Sequence, residues 1–254
     1  MNNLWKVKVL VLGHHTLDKS GLTHNSGVGQ IIDIPLISVA IYNDEHNIVV
    51  DTGQHDAKWV TEHMLPATTT PEEEMPTILK NAMGWELDDV DTVINTHLHF
   101  DHCGNNKLFK KAKFVVDKRE WEYGFDPLPH QRRLYMPELF DTKAVNFFDW
   151  KFVEGDTELY PGIYLLSTPG HTPGHLSVLV NTEEGTLCIA GDVCNMVENI
   201  NNNVVSNLVI SPEQMLHSLK RMRWASDVII PGHDPIIKQY QTGDFPKVNK
   251  ENFL

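Results

Sequence analysis

The sequence feature that most constrains the fold is residues 97–102 (HLHFDH), which begin one residue after an apolar stretch at residues 90–95. A short apolar stretch of this kind predicts a buried strand. Side chains two residues apart on an extended chain project to the same side, so His97 and His99 can bind one metal ion. The last two residues of the segment follow where the chain turns and can reach a neighbouring position. The segment therefore predicts a metal site at the end of a buried strand.

Three further residues of metal-ligating types follow predicted strands later in the chain. They are His171 within residues 168–175 (TPGHTPGH), Asp192 directly after Gly191, and His233 directly after Gly232. Loops at strand ends are positions where a rigid scaffold presents functional groups. One such residue alone is more often part of a turn or of the core. Their recurrence after the HLHFDH segment predicts that they join one shared site.

Short apolar runs bounded by turn residues predict the fold. The predicted strands are residues 5–12, 36–42, 47–51, 90–95, 113–116, 163–167, 176–180, 186–190 and 228–230, with a hairpin turn at residues 43–45. Helices are predicted over residues 72–83 and from Ser211, an N-cap that is followed by Pro212. Strands followed by a helix in each half indicate two sheets packed face to face with helices outside. No repeat or linker divides the chain, so we expect one domain over residues 1–254, with a helical, aromatic lid around residues 119–150.

Charge and cysteine content exclude several classes of partner. The 254 residues include 21 Lys and Arg against 34 Asp and Glu, a formal net charge of −13. This charge argues against binding to nucleic acid or to an anionic membrane, since both need a basic surface. Three cysteines give no disulfide framework. Residues 1–12 lack the apolar core and cleavage site expected of a signal peptide, and no stretch approaches about 18 apolar residues. We therefore expect a cytoplasmic protein.

The motifs together resemble those of the metallo-β-lactamase superfamily. The resemblance rests on HLHFDH at residues 97–102, PGHTPGH at 169–175, GD at 191–192 and PGH at 231–233. Residues 32–35 (IDIP), 154–156 (EGD) and 161–162 (PG) look most similar to the N-acyl homoserine lactone lactonases of that superfamily. The resemblance implies an α+β fold, an αββα four-layer sandwich of two mixed β-sheets flanked by helices. It also implies a dinuclear-metal hydrolase that opens a lactone ring, as in quorum quenching.

The resemblance also implies a role for each motif residue. One metal ion would be held by His97, His99 and His171, the second by Asp101, His102 and His233, and Asp192 would bridge the two. The implied cofactors are two zinc ions per chain, with manganese, iron or cobalt as alternatives. Asp101 would carry a proton to the leaving alkoxide. The implied partners are a small-molecule lactone substrate and a second copy of the chain in a homodimer, with no nucleic acid or membrane.

Position 195 departs from the lactonase pattern. The family usually carries Tyr three residues after the bridging Asp, where its side chain assists the carbonyl oxygen, whereas this chain has Asn195. An amide can donate a hydrogen bond but cannot supply a phenol proton. A different lactone such as 4-pyridoxolactone is therefore an alternative substrate, and a glyoxalase II-like thioesterase shares the same ligands. A metal-dependent oxidoreductase or a non-catalytic metal-binding protein on this fold is the alternative from another class.

Several residues near the motifs have a structural interpretation beside the functional one. His175 is expected to support the metal ligands, and Asp51 is either such a support or the cap of a turn. Cys103 and Cys194 are expected to be small buried side chains. The histidine pair at residues 14–15 either faces the site or is exposed, and we expect exposure.

Overall fold

A computed structural model describes residues 4–243, 245 and 247. The larger of its two sheets contains β1 (Lys6–Asp18), β2 (Ile31–Tyr42), β3 (Asn47–Val50), β4 (Ala67–Thr68), β5 (Thr92–Ile94), β6 (Lys113–Asp117) and β7 (Asp149–Val153). The smaller sheet contains β8 (Thr157–Tyr160), β9 (Ile163–Ser167), β10 (Leu176–Thr182), β11 (Gly185–Ile189) and β12 (Val228–Ile230). The α-helices are α1 (Ala57–His63), α2 (Met75–Met83), α3 (Phe100–Cys103), α4 (Lys118–Phe125), α5 (Val197–Asn202), α6 (Pro212–Ala225) and α7 (Ile237–Gln241). None of the helices within the described residues combines the length and the apolar character that a membrane span requires.

Both sheets are mixed. In the larger sheet the strand order is β4-β1-β2-β3-β5-β6-β7, with antiparallel pairs up to β3 and parallel pairs from β3 to β7. In the smaller sheet the order is β12-β11-β10-β9-β8, and only the β11–β12 pair is parallel. The predicted hairpin between β2 and β3 is confirmed, with Val39 opposite Val50.

The two sheets pack face to face, and helices cover their outer faces. The central apolar layer combines side chains of both sheets, such as Ile41 of β2 and Val178 of β10. Leu79 of α2 packs in a second apolar layer on the larger sheet, and Leu219 of α6 in a third layer on the smaller sheet. Burial of these apolar faces is the dominant force that holds the layers together. The predicted αββα four-layer sandwich is therefore confirmed.

Several predicted elements have different bounds in the structure. The strands predicted over residues 5–12 and 36–42 extend to Asp18 and begin at Ile31, because β1 and β2 continue to pair beyond their apolar runs. The helix predicted over residues 72–83 begins only at Met75, because the chain turns at residues 71–73 and Pro76 occupies the first turn of the helix. The lid predicted around residues 119–150 starts at Lys118 with α4, and its end is part of β7, which pairs in parallel with β6. Side chains of this segment pack on one another, as in the contact of Trp121 of α4 with Phe140 at 5.7 Å between ring centroids.

Candidate metal centre

The predicted ligands meet at one edge of the two sheets, just beyond the carboxyl ends of four strands. Residues 97–102 follow β5 of the larger sheet. His171, Asp192 and His233 follow β9, β11 and β12 of the smaller sheet. Because strand ends are held rigidly by their neighbours, the ligand loops have well-defined positions. The sandwich therefore brings together residues that are as much as 136 positions apart in the chain.

The first group of ligand atoms consists of three buried imidazole nitrogens. His97 Nε2 lies 3.0 Å from His99 Nδ1, and His171 Nε2 lies 3.1 Å from the same atom. All three side chains are buried, and their nitrogens lie within 4.8 Å of one another. This arrangement is suited to a single divalent ion with imidazole ligands.

The second group lies beside the first, and Asp192 faces both groups. Ligand atoms of Asp101, His102 and His233 lie within 4.8 Å of one another. Asp192 Oδ1 is 3.0 Å from His102 Nε2 and 3.1 Å from His233 Nε2. Asp192 Oδ2 is 3.4 Å from His171 Nε2 in the first group. One carboxylate thus presents an oxygen to each group, which is the geometry that a bridging ligand requires.

Hydrogen bonds at the Nδ1 atoms of three of these histidines orient their Nε2 atoms towards the metal site. Three Nδ1 atoms lie 2.8–2.9 Å from oxygen acceptors: His102 from Asp51 Oδ2, His171 from Leu208 O and His233 from Pro35 O. A nitrogen that donates a proton to such an acceptor leaves the Nε2 lone pair free to bind a cation.

The donor set fits two divalent ions. Asp192 Oδ1 and His102 Nε2 are buried and form no hydrogen bond with the described residues, although only 3.0 Å separates them. Buried polar atoms without a partner are costly, and a metal ion between them would satisfy both. Imidazole and carboxylate ligands without a thiolate suit zinc, and they also suit manganese, iron or cobalt.

Burial and local charge set the protonation of the ligands. Burial lowers the pKa of His97 and of His99 well below the ordinary value, so both rings stay neutral and keep a lone pair for a cation. Burial alone would raise the pKa of Asp192, but His102 and His233 hold it well below its usual range. Burial opposes a charge on His102 as well, yet Asp192 and Asp51 raise the pKa of that ring well above the ordinary value. The site without metal therefore carries an ionised Asp192 beside a protonated His102, while His97 and His99 are neutral.

Asp51 and His175 support the ligands from outside. Asp51 accepts hydrogen bonds from the Thr96 backbone N–H at 2.8 Å and the Thr96 hydroxyl at 2.7 Å, in addition to its contact with His102. His175 Nε2 accepts a hydrogen bond from the backbone N–H of Asp192 at 3.0 Å. A Cβ atom at Gly191 would lie 2.6 Å from that same nitrogen, and its φ of +57° also favours glycine. Of the two roles open for Asp51 in the sequence, the structure favours support of the ligands.

Asn195 is buried beside the bridging carboxylate, with 1 % of its surface exposed. Its Nδ2 donates to the backbone oxygen of Asp192 at 3.2 Å, which leaves the second N–H of the amide free. Its Oδ1 has no hydrogen-bond partner among the described residues. The side chain therefore retains hydrogen-bonding capacity at the position where lactonases usually have Tyr.

The two cysteines near the site behave as small buried side chains. The thiols of Cys103 and Cys194 donate to the backbone oxygens of Leu98 at 3.4 Å and Met196 at 3.3 Å. Burial raises the pKa of Cys194 to about 12, so its thiol stays protonated. Neither cysteine belongs to the metal-ligand groups found among the described residues.

Sequence reasoning was wrong about His15 and missed three supporting residues. His15 is not exposed, since only 3 % of its surface is accessible, and its ring stacks on Phe100 with 5.8 Å between centroids. The residues missed are Glu120, Gln131 and Tyr135, which lie in or after α4 and contact the ligand loops. Their only sequence signal was their place in the predicted lid, because nothing local marks them as neighbours of the histidines.

This fold and this set of clustered ligands define a class of protein. The chain belongs to the metallo-beta-lactamase superfamily, whose pattern it matches over residues 37–234. It is 30% identical to the N-acyl homoserine lactonase AiiA of Bacillus thuringiensis subsp. kurstaki over 243 residues, which cover 90% of this chain and 93% of that enzyme. It is also 30% identical to the lactonase AttM of Azorhizobium caulinodans over 165 residues, which cover 61% of this chain and 62% of AttM.

Solved structures of N-acyl homoserine lactone hydrolases also resemble this chain. One is an N-acyl homoserine lactone hydrolase with the product N-hexanoyl-L-homoserine bound at its catalytic metal centre. It matches with a TM-score of 0.80 and 30% identity, over 95% of this chain and 98% of that one. The dizinc quorum-quenching lactonase AidC shares the fold, with a TM-score of 0.70 and 16% identity over 91% of this chain and 88% of AidC. The family resemblance predicted from the motifs is thus confirmed.

Proposed function

We propose that this protein is a metal-dependent hydrolase that opens the lactone ring of N-acyl homoserine lactones and so quenches quorum signals. The observation that carries this proposal is the pair of adjacent ligand groups joined by Asp192. His97, His99 and His171 would hold one ion, and Asp101, His102 and His233 the other. The identity with the lactonase AiiA, which extends over 90% of the chain, supports the choice of substrate.

The reaction needs an attacking oxygen, stabilisation of the carbonyl oxygen and a proton for the leaving alkoxide. When bound, two divalent ions would polarise the lactone carbonyl and lower the pKa of a water molecule. Asp101 differs from the other ligands in being only half-buried, so its carboxylate can reach a substrate that enters the site. Asp101 would take up the proton of the attacking water and deliver it to the alkoxide oxygen as the ring opens.

A panel of substrates tests the proposed function against its alternatives. Proton release should be measured with acyl-homoserine lactones of several chain lengths, with 4-pyridoxolactone and with a glutathione thioester. We expect kcat/KM for the best acyl-homoserine lactone to exceed that for either other substrate by about tenfold or more, a difference of about 1.4 kcal/mol. Hydrolysis of 4-pyridoxolactone alone would mean that this lactone, and not an acyl-homoserine lactone, is the substrate. Hydrolysis of the thioester alone would mean that the enzyme is a thioesterase and not a lactonase.

The paired basic residues of the lid are a weak signal for the thioesterase alternative. A glutathione conjugate carries carboxylates, so its enzyme needs basic groups near the metals. Arg132 and Arg133 lie on the exposed part of the lid, where Arg132 lies 3.7 Å from Asp126 in an ion pair. An oxidoreductase or a non-catalytic metal-binding protein would be recognised by the absence of proton release with every substrate of the panel.

Asn195 is proposed to contribute a hydrogen bond to the lactone carbonyl oxygen through its free amide N–H. A neutral hydrogen bond is worth about 1 kcal/mol. We therefore expect Asn195→Ala to lower kcat by about fivefold to tenfold with metal content unchanged. The measurement is steady-state kinetics together with metal analysis. Asn201→Ala on the exposed surface of α5 is the control and should match the parent protein, whereas an unchanged kcat in Asn195→Ala would contradict the role.

The metal identity, location and assembly state are proposals of the same kind. Zinc is the proposed metal, and metal analysis of the purified protein tests it against manganese, iron and cobalt. A cytoplasmic location is supported by the three cysteines, which are free and buried. The homodimer expected from the family resemblance is tested by light scattering during size-exclusion chromatography. A single domain over residues 1–254 is proposed from the continuous layers of the sandwich.

A further inference from the structure

Glu120 is a fully buried carboxylate that contacts both loops of the first ligand group. Its Oε1 accepts a hydrogen bond from the backbone N–H of Leu98 at 3.0 Å, between the ligands His97 and His99. Its Oε2 accepts one from the backbone N–H of Gly174 at 3.3 Å, in the loop that carries His171. Burial of the side chain raises the pKa of Glu120, while these donors favour its ionised form.

Two other residues of the lid contact the same ligand group. The Tyr135 hydroxyl donates to Glu120 Oε1 at 2.7 Å, while its ring packs edge-to-face on His99 with 4.7 Å between centroids. Gln131 Nε2 donates to the backbone oxygen of His171 at 2.7 Å. The lid segment thus forms hydrogen bonds or ring contacts at each of the two loops that supply this group.

The contact between α4 and the His171 loop leaves no free space. A Cβ atom at Gly174 would lie 2.2 Å from the backbone nitrogen of Glu120. Glycine is therefore required there so that the loop can approach the helix closely enough for the hydrogen bond to Oε2. A carboxylate can accept from donors at both of its oxygens at once, whereas an amide has only one acceptor atom.

From these contacts we propose that Glu120 is a positioning residue. It ties the loop of His97 and His99 to the loop of His171 and thereby sets the geometry of the first metal ion. The proposal rests on the proposed metal centre, but not on the identity of the substrate. The second ligand group is anchored elsewhere, since Asp51 contacts His102 and the Pro35 carbonyl contacts His233. The effect of Glu120 should therefore be confined to one of the two ions.

The test compares Glu120→Gln with the parent protein after loading with cobalt(II). Glutamine keeps the volume, but its NH₂ group would face the N–H of Gly174, so only one loop stays bonded. We expect a changed visible absorption spectrum and an affinity for one of two ions that falls by about 10-fold to 100-fold. The affinity for the other ion should stay within about twofold of the parent value. Glu122→Gln, an exposed change on the same helix, is the matched control and should alter neither quantity.

A second variant covers the case in which Glu120→Gln does not fold. Tyr135→Phe removes one donor to Glu120 and keeps the ring on His99, so we expect the same spectral change in weaker form. An unaltered spectrum and unaltered affinities in both variants would overturn the proposal. Equal weakening of both ions would also overturn it, since this would indicate a general structural role. If the parent protein bound no cobalt, the proposed metal centre itself would fail, and the positioning role with it.

Discussion

Asp192→Asn is expected to lower kcat/KM for lactone hydrolysis by about 1,000-fold and to reduce the metal content of the purified protein. The Asp192 carboxylate faces His102 and His233 with one oxygen and His171 with the other. Asparagine keeps the shape but removes the charge and one acceptor oxygen, so neither ion is held as before. Metal stabilisation of the transition state is worth several kcal/mol, and each 1.4 kcal/mol changes the rate about tenfold. The measurement is steady-state kinetics with metal analysis of the same sample.

The control for this variant lies at the opposite end of the sandwich. Asp44 is an exposed aspartate in the turn between β2 and β3, and Asp44→Asn removes the same charge far from the centre. It should leave both metal content and kcat unchanged. If Asp192→Asn retained two ions and a kcat within about twofold of the parent value, the assignment of Asp192 as the bridging ligand would be wrong.

The strands and the helix that the sequence predicts accurately are those marked by residues within or directly beside them. The strands at residues 163–167 and 228–230 have the predicted bounds, because both are short, apolar and flanked by Pro or Gly. The long helix begins at Pro212 as predicted, with the Ser211 hydroxyl accepting from the Gln214 N–H at 3.2 Å. β7 and β8 were missed because each is an edge strand that exposes polar side chains, such as Lys151 of β7 and Glu158 of β8, so pairing with a neighbour decides its structure.

Some residues of the candidate site can likewise be predicted from the local sequence, whereas others are recognised only from the tertiary structure. The HLHFDH segment and the Gly-flanked His and Asp residues carry their chemistry within a few positions, and the structure brings all of them together. Glu120 carries no such signal, because it is one of three acidic residues at positions 117–122, and Glu122 on the same helix is exposed. Only the packing of α4 against Gly174 shows that Glu120 lies beneath the ligand loops. His15 was misjudged for the same reason, since the Phe100 ring that covers it is distant in sequence.

Removal of the metal ions is expected to make the protein sensitive to acid below about pH 6.5, the ordinary pKa of histidine. Burial lowers the pKa of five histidines, namely His15, His97, His99, His171 and His175. Below pH 6.5 the unfolded chain protonates these side chains, whereas the folded chain keeps them neutral. The unfolded state then binds more protons, so the free energy of unfolding falls as the pH falls.

Two histidines have the opposite effect and lower the stability of the metal-free protein at alkaline pH. Burial alone would lower the pKa of His102 and of His233, but Asp192 raises both. The folded chain therefore holds their protons above pH 6.5, where the unfolded chain has lost them. Their stabilisation is fully present below pH 6.5 and is lost as the pH rises through their folded pKa values. The metal-free protein is thus expected to be most stable at about pH 6.5–7.

Urea unfolding of the chelator-treated protein at about pH 5.5, 6.5 and 8 measures this dependence. We expect the midpoint urea concentration to be highest at the middle value and the acid limb to correspond to uptake of more than one proton. Metal-loaded protein should lose stability only at lower pH, because protons must then compete with the ions for the same nitrogens. His217→Gln, an exposed histidine on α6, is the control and should leave the profile unchanged. A metal-free midpoint that stayed constant or rose below pH 6.5 would contradict the presence of buried neutral imidazoles, and with it the ready-made ligand set on which metal binding depends.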